Sequence, residues 1–289
     1  MRRLLLLCVL SCFVVGGLAW RYGADIVSFG AGTSQRANPE DTKIRNGVFT
    51  SPYFGLSYPL PQGWTEGLAG PDPSYSGYYV LRTFVPAGKL SARMLIAAQD
   101  MFFAAKSYDD LAAAANDIRQ AMSEIEGMTI EREPSAVKIA DRLLQRLDFS
   151  GVGLHRAMFV AEVRCHMVTF NLTARDPEQL ASLAQSLDKL SFASGRDAAA
   201  STPVCIKDYA TGDNLVERVE PESVGSTAMP IPVRIIIGTE GTVKHVHAIR
   251  ATAMQRRSID EALRQWKFRP HEIDGRAVEV ETGLEFRFK

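Results

Sequence analysis

The chain has 289 residues, too many for one ordinary small domain and few for three, so length favours two domains. Hydrophobic residues make up 46% and charged residues 23%, near the averages of soluble globular proteins, which excludes a wholly disordered, collagen-like or polytopic membrane protein. The 33 basic and 33 acidic side chains cancel, leaving no long-range field to gather nucleic acid, and no nucleic-acid partner is expected.

Residues 1–20 carry Arg2-Arg3 and then an apolar run from Leu4 to Trp20, the pattern of an export signal. Small residues at Gly17 and Ala19 suit cleavage after Ala19. Two alternatives stay open: retention as an inner-membrane anchor, with residues 4–20 in the membrane, or lipid attachment at Cys12, because Val9-Leu10-Ser11-Cys12 resembles a lipidation box. Each exports the rest of the chain, so a periplasmic location is expected. Residues 21–46 have neither strand nor helix period and read as a flexible tether. A second compositional break, the Ala- and Ser-rich stretch 194–202, reads as a linker between domains at 47–193 and 203–289.

In the first domain, Tyr78-Tyr79-Val80-Leu81 and Met94-Leu95-Ile96-Ala97 read as strands, and a helix capped by Ser107 carries Tyr108, Leu111, Ala115, Ile118, Met122 and Ile125 at helical spacing. A long hairpin is expected to pair 135–149 with 155–173 across Gly151-Val152-Gly153, with Ala157, Phe159, Ala161, Val163, Cys165 and Met167 on one face. A closing helix opens at Asp176-Pro177. An oxidising compartment permits a bridge between Cys165 and Cys205, yet the apolar alternation around Cys165 reads more simply as a buried free thiol.

The phrase Tyr53-Phe54-Gly55-Leu56-Ser57-Tyr58-Pro59-Leu60-Pro61-Gln62-Gly63-Trp64 resembles the opening of PsbP-like domains. The resemblance implies a three-layer α/β/α fold with an antiparallel sheet, a docking or binding module without catalytic residues.

From Ile231 the chain reads strand, turn, strand, helix, strand. Val233, Ile235 and Ile237 alternate before the Gly238-Thr239-Glu240-Gly241 turn, and Ser258 with Glu261 suggests a capping box for a helix burying Ile259, Ala262, Leu263 and Trp266. Together with Trp266-Lys267-Phe268-Arg269-Pro270 and Asp274-Gly275-Arg276-Ala277-Val278, this order resembles the C-terminal domain of TonB, a ββαβ unit. That resemblance implies a partner-binding edge strand at 278–287, formed by Val278, Glu279, Val280, Glu281, Thr282, Leu284, Glu285 and Phe286, and an extended peptide of an outer-membrane receptor as its kind of partner. The N-terminal run lacks the Ser-His pair of energy-coupling anchors, and the tether has no Pro-rich charged rod.

His245 and His247 share a strand face, but two imidazoles are not a metal site and both read as exposed; His155 and His166 stand on opposite faces of the long strand and offer no cluster. No metal or cofactor is expected. Nor does any Gly-x-Ser-x-Gly elbow, His-Glu-x-x-His or phosphate loop occur, so no enzyme activity is expected. Arg256-Arg257 reads as a solvated loop before the helix. The reading is a non-catalytic exported adaptor for envelope proteins. Its alternatives are a TonB-type energy transducer for outer-membrane transport and an enzyme with an unrecognised site in the first domain.

Overall fold

The computed structural model describes residues 41–88, 91–193 and 202–288. The export signal, most of the tether and all of the linker but Thr202 lie outside the described residues.

The first half runs β1 (Lys43–Arg45), β2 (Val48–Ser51), β3 (Leu56–Pro59), β4 (Trp64–Glu66), β5 (Tyr78–Pro86), β6 (Ala92–Asp100), α1 (Leu111–Ser123), β7 (Thr129–Ile139), β8 (Arg142–Gly151), β9 (Leu154–Val163), β10 (His166–Ala174), α2 (Pro177–Ser186) and β11 (Ser191–Phe192). Seven strands form one antiparallel sheet in the order β4-β5-β6-β10-β9-β8-β7, and β1-β2-β3-β11 form a smaller one. The alternation of each strand divides its side chains between two layers. Leu147, Phe149, Met158 and Val160 face α1 and pack on Met122. Phe159, Ala161, Phe170 and Leu172 face the other way, onto Leu180 and Leu183 of α2 and onto Phe49, Leu56 and Tyr58 of the small sheet. The expected helix–sheet layering is therefore present. Because β1 pairs with β2 through the Asn46-Gly47 turn, the folded body starts inside the stretch read as tether.

Local chemistry shifts two elements of the first half. Asp110, not Ser107, caps α1, its carboxylate accepting from the Ala113 N–H at 2.7 Å. Each arm of the expected hairpin is two strands: 135–149 is divided between β7 and β8 at Ala140 (φ 53°), and 155–173 turns back from β9 into β10 at Arg164-Cys165, with Arg164 at φ 56°. Without Gly, Asn or Pro there, the turn has no sequence signature. The bend also sends Met167 to the α1 face, away from Phe159. At α2 the Asp176 carboxylate accepts from Glu178 and Gln179 N–H at 2.7 and 3.1 Å, with Pro177 opening the first turn as expected.

The second half runs β12 (Val204–Cys205), β13 (Leu215–Glu217), β14 (Ile231–Ile237), β15 (Val243–Ala248), α3 (Ala253–Leu263), β16 (Lys267–Phe268), β17 (His271–Ile273), β18 (Arg276–Val278) and β19 (Val280–Phe286). Its main sheet has the order β12-β19-β14-β15. Ile259, Leu263 and Trp266 lie over Val233, Ile235, Val246 and Phe286 on one face. The helix starts a turn and a half earlier than expected: Thr252 and Gln255 form the capping box, placing Arg256 and Arg257 inside α3. Ser258 instead donates to the Glu222 carbonyl at 2.7 Å.

The second face of this sheet is not left to solvent. Ile236 and Ile249 join the core of the first half, and Arg250 donates to the Pro73 carbonyl at 2.5 Å. Cys165 and Cys205 are bridged, which corrects the free-thiol reading. The bend at Arg164-Cys165 lifts Cys165 out of the strand and toward β12.

Candidate functional site

Where the two halves meet, ionisable side chains from five segments are buried together. Arg234 of β14, Asp100 at the end of β6, His166 at the start of β10 and Glu281 of β19 are all fully buried, and Tyr53 is nearly so. The Arg234 Nε lies 3.3 Å from Glu281 Oε1 and 3.7 Å from Asp100 Oδ2. One terminal nitrogen donates to the Tyr53 hydroxyl at 2.7 Å and lies against His166 Nε2, and the other is 2.9 Å from His247 Nδ1. The Tyr53 hydroxyl in turn donates to Glu281, whose second oxygen is 3.1 Å from Arg164. Both guanidinium groups also lie against the Tyr53 ring, 4.0 Å for Arg164 and 4.5 Å for Arg234.

The charges balance. Two guanidinium groups face two carboxylates, so burial leaves no net charge provided His166 is neutral. Burial, and then the Arg234 charge, push the His166 pKa below its ordinary value despite Asp100 beside it. Burial alone would raise Asp100, but the His166 hydrogen bond and Arg234 outweigh it and keep the carboxyl below the usual carboxylate range. Burial chiefly holds the Tyr53 phenol well above its usual value.

Tyrosine, histidine and aspartate are the residue types of acid–base catalysis, but a substrate must reach them. Two surface clefts, one of about 520 Å³ beside Ser57 and Phe192 and one of about 170 Å³ beside Gly67 and Arg82, touch none of these groups. The arrangement is suited to locking two sheets in one register.

The seam corrects the histidine expectations. His166, read as unclustered, sits at its centre, whereas His155 pairs with Glu131 at the surface, 2.9 Å apart. His247 is half-buried against Tyr79, with ring centroids 5.3 Å apart, so it is not the exposed residue expected; His245 is half-buried too. Val246 and Ala248, between and beside them on the strand, face the core. Among the described residues no group of three or more His, Cys, Asp and Glu is placed to hold a metal.

The partner-binding strand read at 278–287 is divided. Val278 belongs to β18 and pairs with His271 in a separate hairpin. The outer side of β19 is not wholly open, because β12 pairs with it in parallel at Val280 and Glu281. The Val204 and Ile206 N–H groups donate to the carbonyls of Glu279 and Glu281 at 2.8 and 3.0 Å. In that register the backbone of the odd-numbered residues points outward. Glu281 is buried in the seam and Thr282 in the sheet, its hydroxyl donating to the Lys207 carbonyl at 3.0 Å. Leu284 and Phe286 pack on the domain core, and Glu285 is exposed. From Gly283 on, no described strand pairs with the outer side. The Asp100, His166 and Arg234 constellation was missed by sequence reasoning, and the one available signal was an arginine inside the apolar run Ile231 to Ile237.

No protein-family model matches the chain, and no curated protein matches it. Among solved structures it is similar to the cyanobacterial PsbP (CyanoP) of Synechocystis sp. PCC 6803, at 15% identity over 57% of this chain and 98% of that one, with a TM-score of 0.39. It is also similar to LpqN, described as involved in cell envelope biogenesis of Mycobacterium tuberculosis, at 15% identity over 48% of this chain and 83% of that one, TM-score 0.34. A third is the Pseudomonas aeruginosa protein PA94, described as a putative regulator, at 16% identity over 48% of this chain and 92% of that one, TM-score 0.32. The first of these belongs to the family that the Tyr53 to Trp64 phrase resembles. At TM-scores this low the likenesses say nothing about role.

Proposed function

We propose that the protein is a non-catalytic adaptor of the cell envelope that binds an extended segment of a protein partner along the outer side of β19. The observation that carries this reading is the β12–β19 pairing itself: the chain already seats an extended segment on that edge, through backbone bonds to Glu279 and Glu281. Beyond it, Gly283 to Phe286 has no described strand partner on that side, and Glu285 favours a partner with basic side chains. The Cys165–Cys205 bridge supports an oxidising, exported location, in keeping with the apolar N-terminal run. The buried seam supports the absence of catalysis, since its acid and base groups are consumed in holding the halves together.

Photo-crosslinking in cells tests this reading. A crosslinker at Glu285 is expected to capture an envelope protein, and one at exposed Leu143 on β8 is not. Equal capture from both positions, or none from Glu285, overturns the assignment of the edge. Capture of inner-membrane motor subunits and outer-membrane receptors together would instead establish the energy transducer.

A further inference from the structure

Resting on that reading, we infer that β12 is a removable plug on the partner edge of β19, and that the Cys165–Cys205 disulfide is the latch that holds it there. The plug and the latch meet at one residue, Cys205. Cys205 forms the disulfide and, in register, pairs with Glu281; Val204 beside it pairs with Val280. A partner strand that extended its pairing from Gly283 back toward Glu279 would need the same two carbonyls that Val204 and Ile206 N–H now occupy. Partner and plug are mutually exclusive along that stretch.

The plug has few holds besides the latch: two backbone hydrogen bonds and buried Pro203 just before it. It is two residues long, Val204 is only half-buried and Cys205 is exposed. Two hydrogen bonds are a small gain, of the same order as the entropy lost in ordering the residues that make them. Ile206, by contrast, packs on the core formed with Ile231 and Val233 and anchors the chain after the plug. Release would therefore stop at Ile206 and leave the β14–β19 ladder intact, which is what a local gate requires.

The chemistry of release needs a dithiol reductant. Its thiolate attacks the sulfur of Cys205, the exposed residue of the pair, breaking the Cys165–Cys205 bond and forming a mixed disulfide on Cys205, with Cys165 leaving as thiolate. The second thiol of the reductant then displaces Cys205. The reductant ends as its own disulfide, and its two protons pass to the Cys165 and Cys205 thiolates. Cys165, only 5% exposed, is shielded from direct attack, so the exchange has one open entrance.

Amide hydrogen exchange on the full exported chain, with the thiol state read in parallel by alkylation, tests the latch without needing the partner. After reduction, or in the C165S/C205S variant, the Val204 and Ile206 amides are expected to exchange at least tenfold faster, while Ile235 and Thr282 on the inner ladder stay within twofold. Unchanged Val204 and Ile206 with both thiols alkylated would overturn the latch. So would equal loss of protection across β14 and β19, which would make the disulfide a global staple. Crosslinking from Glu285 in the same variant separates the two readings: the latch predicts more capture than in the oxidised protein, whereas capture from neither form would remove the partner edge and leave the exchange result standing alone.

Discussion

Arg234 stands diagonally across from Glu281 on the neighbouring strand, with Nε and Oε1 3.3 Å apart and neither side chain exposed to water. Between them they tie the sheet of the second half to Tyr53, Asp100 and His166 of the first. A buried pair of this kind contributes little over an apolar replacement, but breaking it from one side is costly because it strands the other charge.

Arg234→Met should accordingly lower stability by about 3–5 kcal/mol, since Glu281 and Asp100 both lose the guanidinium. Adding Glu281→Leu should recover part of that loss instead of adding to it. Urea unfolding of the two single variants and the double variant measures the coupling, and simple additivity would mean that the pair does not interact.

Acid should loosen the seam through His166. Its folded pKa is depressed by burial and by Arg234, while the unfolded imidazole titrates near its ordinary value, so below about pH 6.5 the unfolded chain takes up a proton that the folded one refuses. Stability present at pH 7.5 is thus lost as pH falls, by at most about 1.4 kcal/mol per unit until the folded group also titrates. Asp100 acts in the same direction, but only below about pH 4, where the unfolded carboxyl protonates first. Urea midpoints at pH 7.5 and 5.5 are expected to differ in the parent chain and to converge in His166→Phe. An equal pH slope in both would remove His166 from the account.

How far the residues announce this architecture depends on the range of the interaction. Local patterns were legible: Asp176-Pro177 opens α2, Asp274-Gly275 turns β17 into β18, and Ile259, Leu263 and Trp266 lie on the core. Turns made by Ala140 and Arg164 at positive φ were not, because neither residue type favours that conformation and tertiary packing imposes it. The seam was least legible, since Tyr53, Asp100, His166, Arg234 and Glu281 are scattered over most of the chain. One clue lay in Ile231 to Ile237, all buried, where a run apolar but for Arg234 marks a strand covered on both faces and makes that arginine a group in need of a buried partner.

Trp266 supplies an independent check on the second core. It is 3% exposed, meets Phe268 and Phe286 with ring centroids 6.1 and 6.0 Å away, and its indole N–H donates to the Val219 carbonyl at 2.7 Å. Trp266→Ala should cost about 3–5 kcal/mol. Trp266→Phe keeps most of the contact area and loses chiefly the hydrogen bond, so its cost should be distinctly smaller. Thermal or urea melts that place the two variants together would show that ring packing is not what holds the residue.

The last prediction concerns how independent the two halves are. Composition alone suggests separately folding units at 47–193 and 203–289, but Ile236 and Ile249 sit in the core of the first half, and Arg234 and Glu281 would be stranded if the halves parted. A protease site inserted between Ser194 and Thr202 allows the chain to be cut there. Without reductant the fragments must stay joined, because Cys165 and Cys205 lie on opposite sides of the cut. With reductant, native size exclusion should still show one particle, held by the seam and the shared apolar contacts. The same cut in Arg234→Met, reduced in the same way, should release the fragments, since the unpaired carboxylates then favour exposure to water over burial. Separation of the parent fragments on reduction alone would show that the disulfide, rather than the ionic seam, unites the molecule.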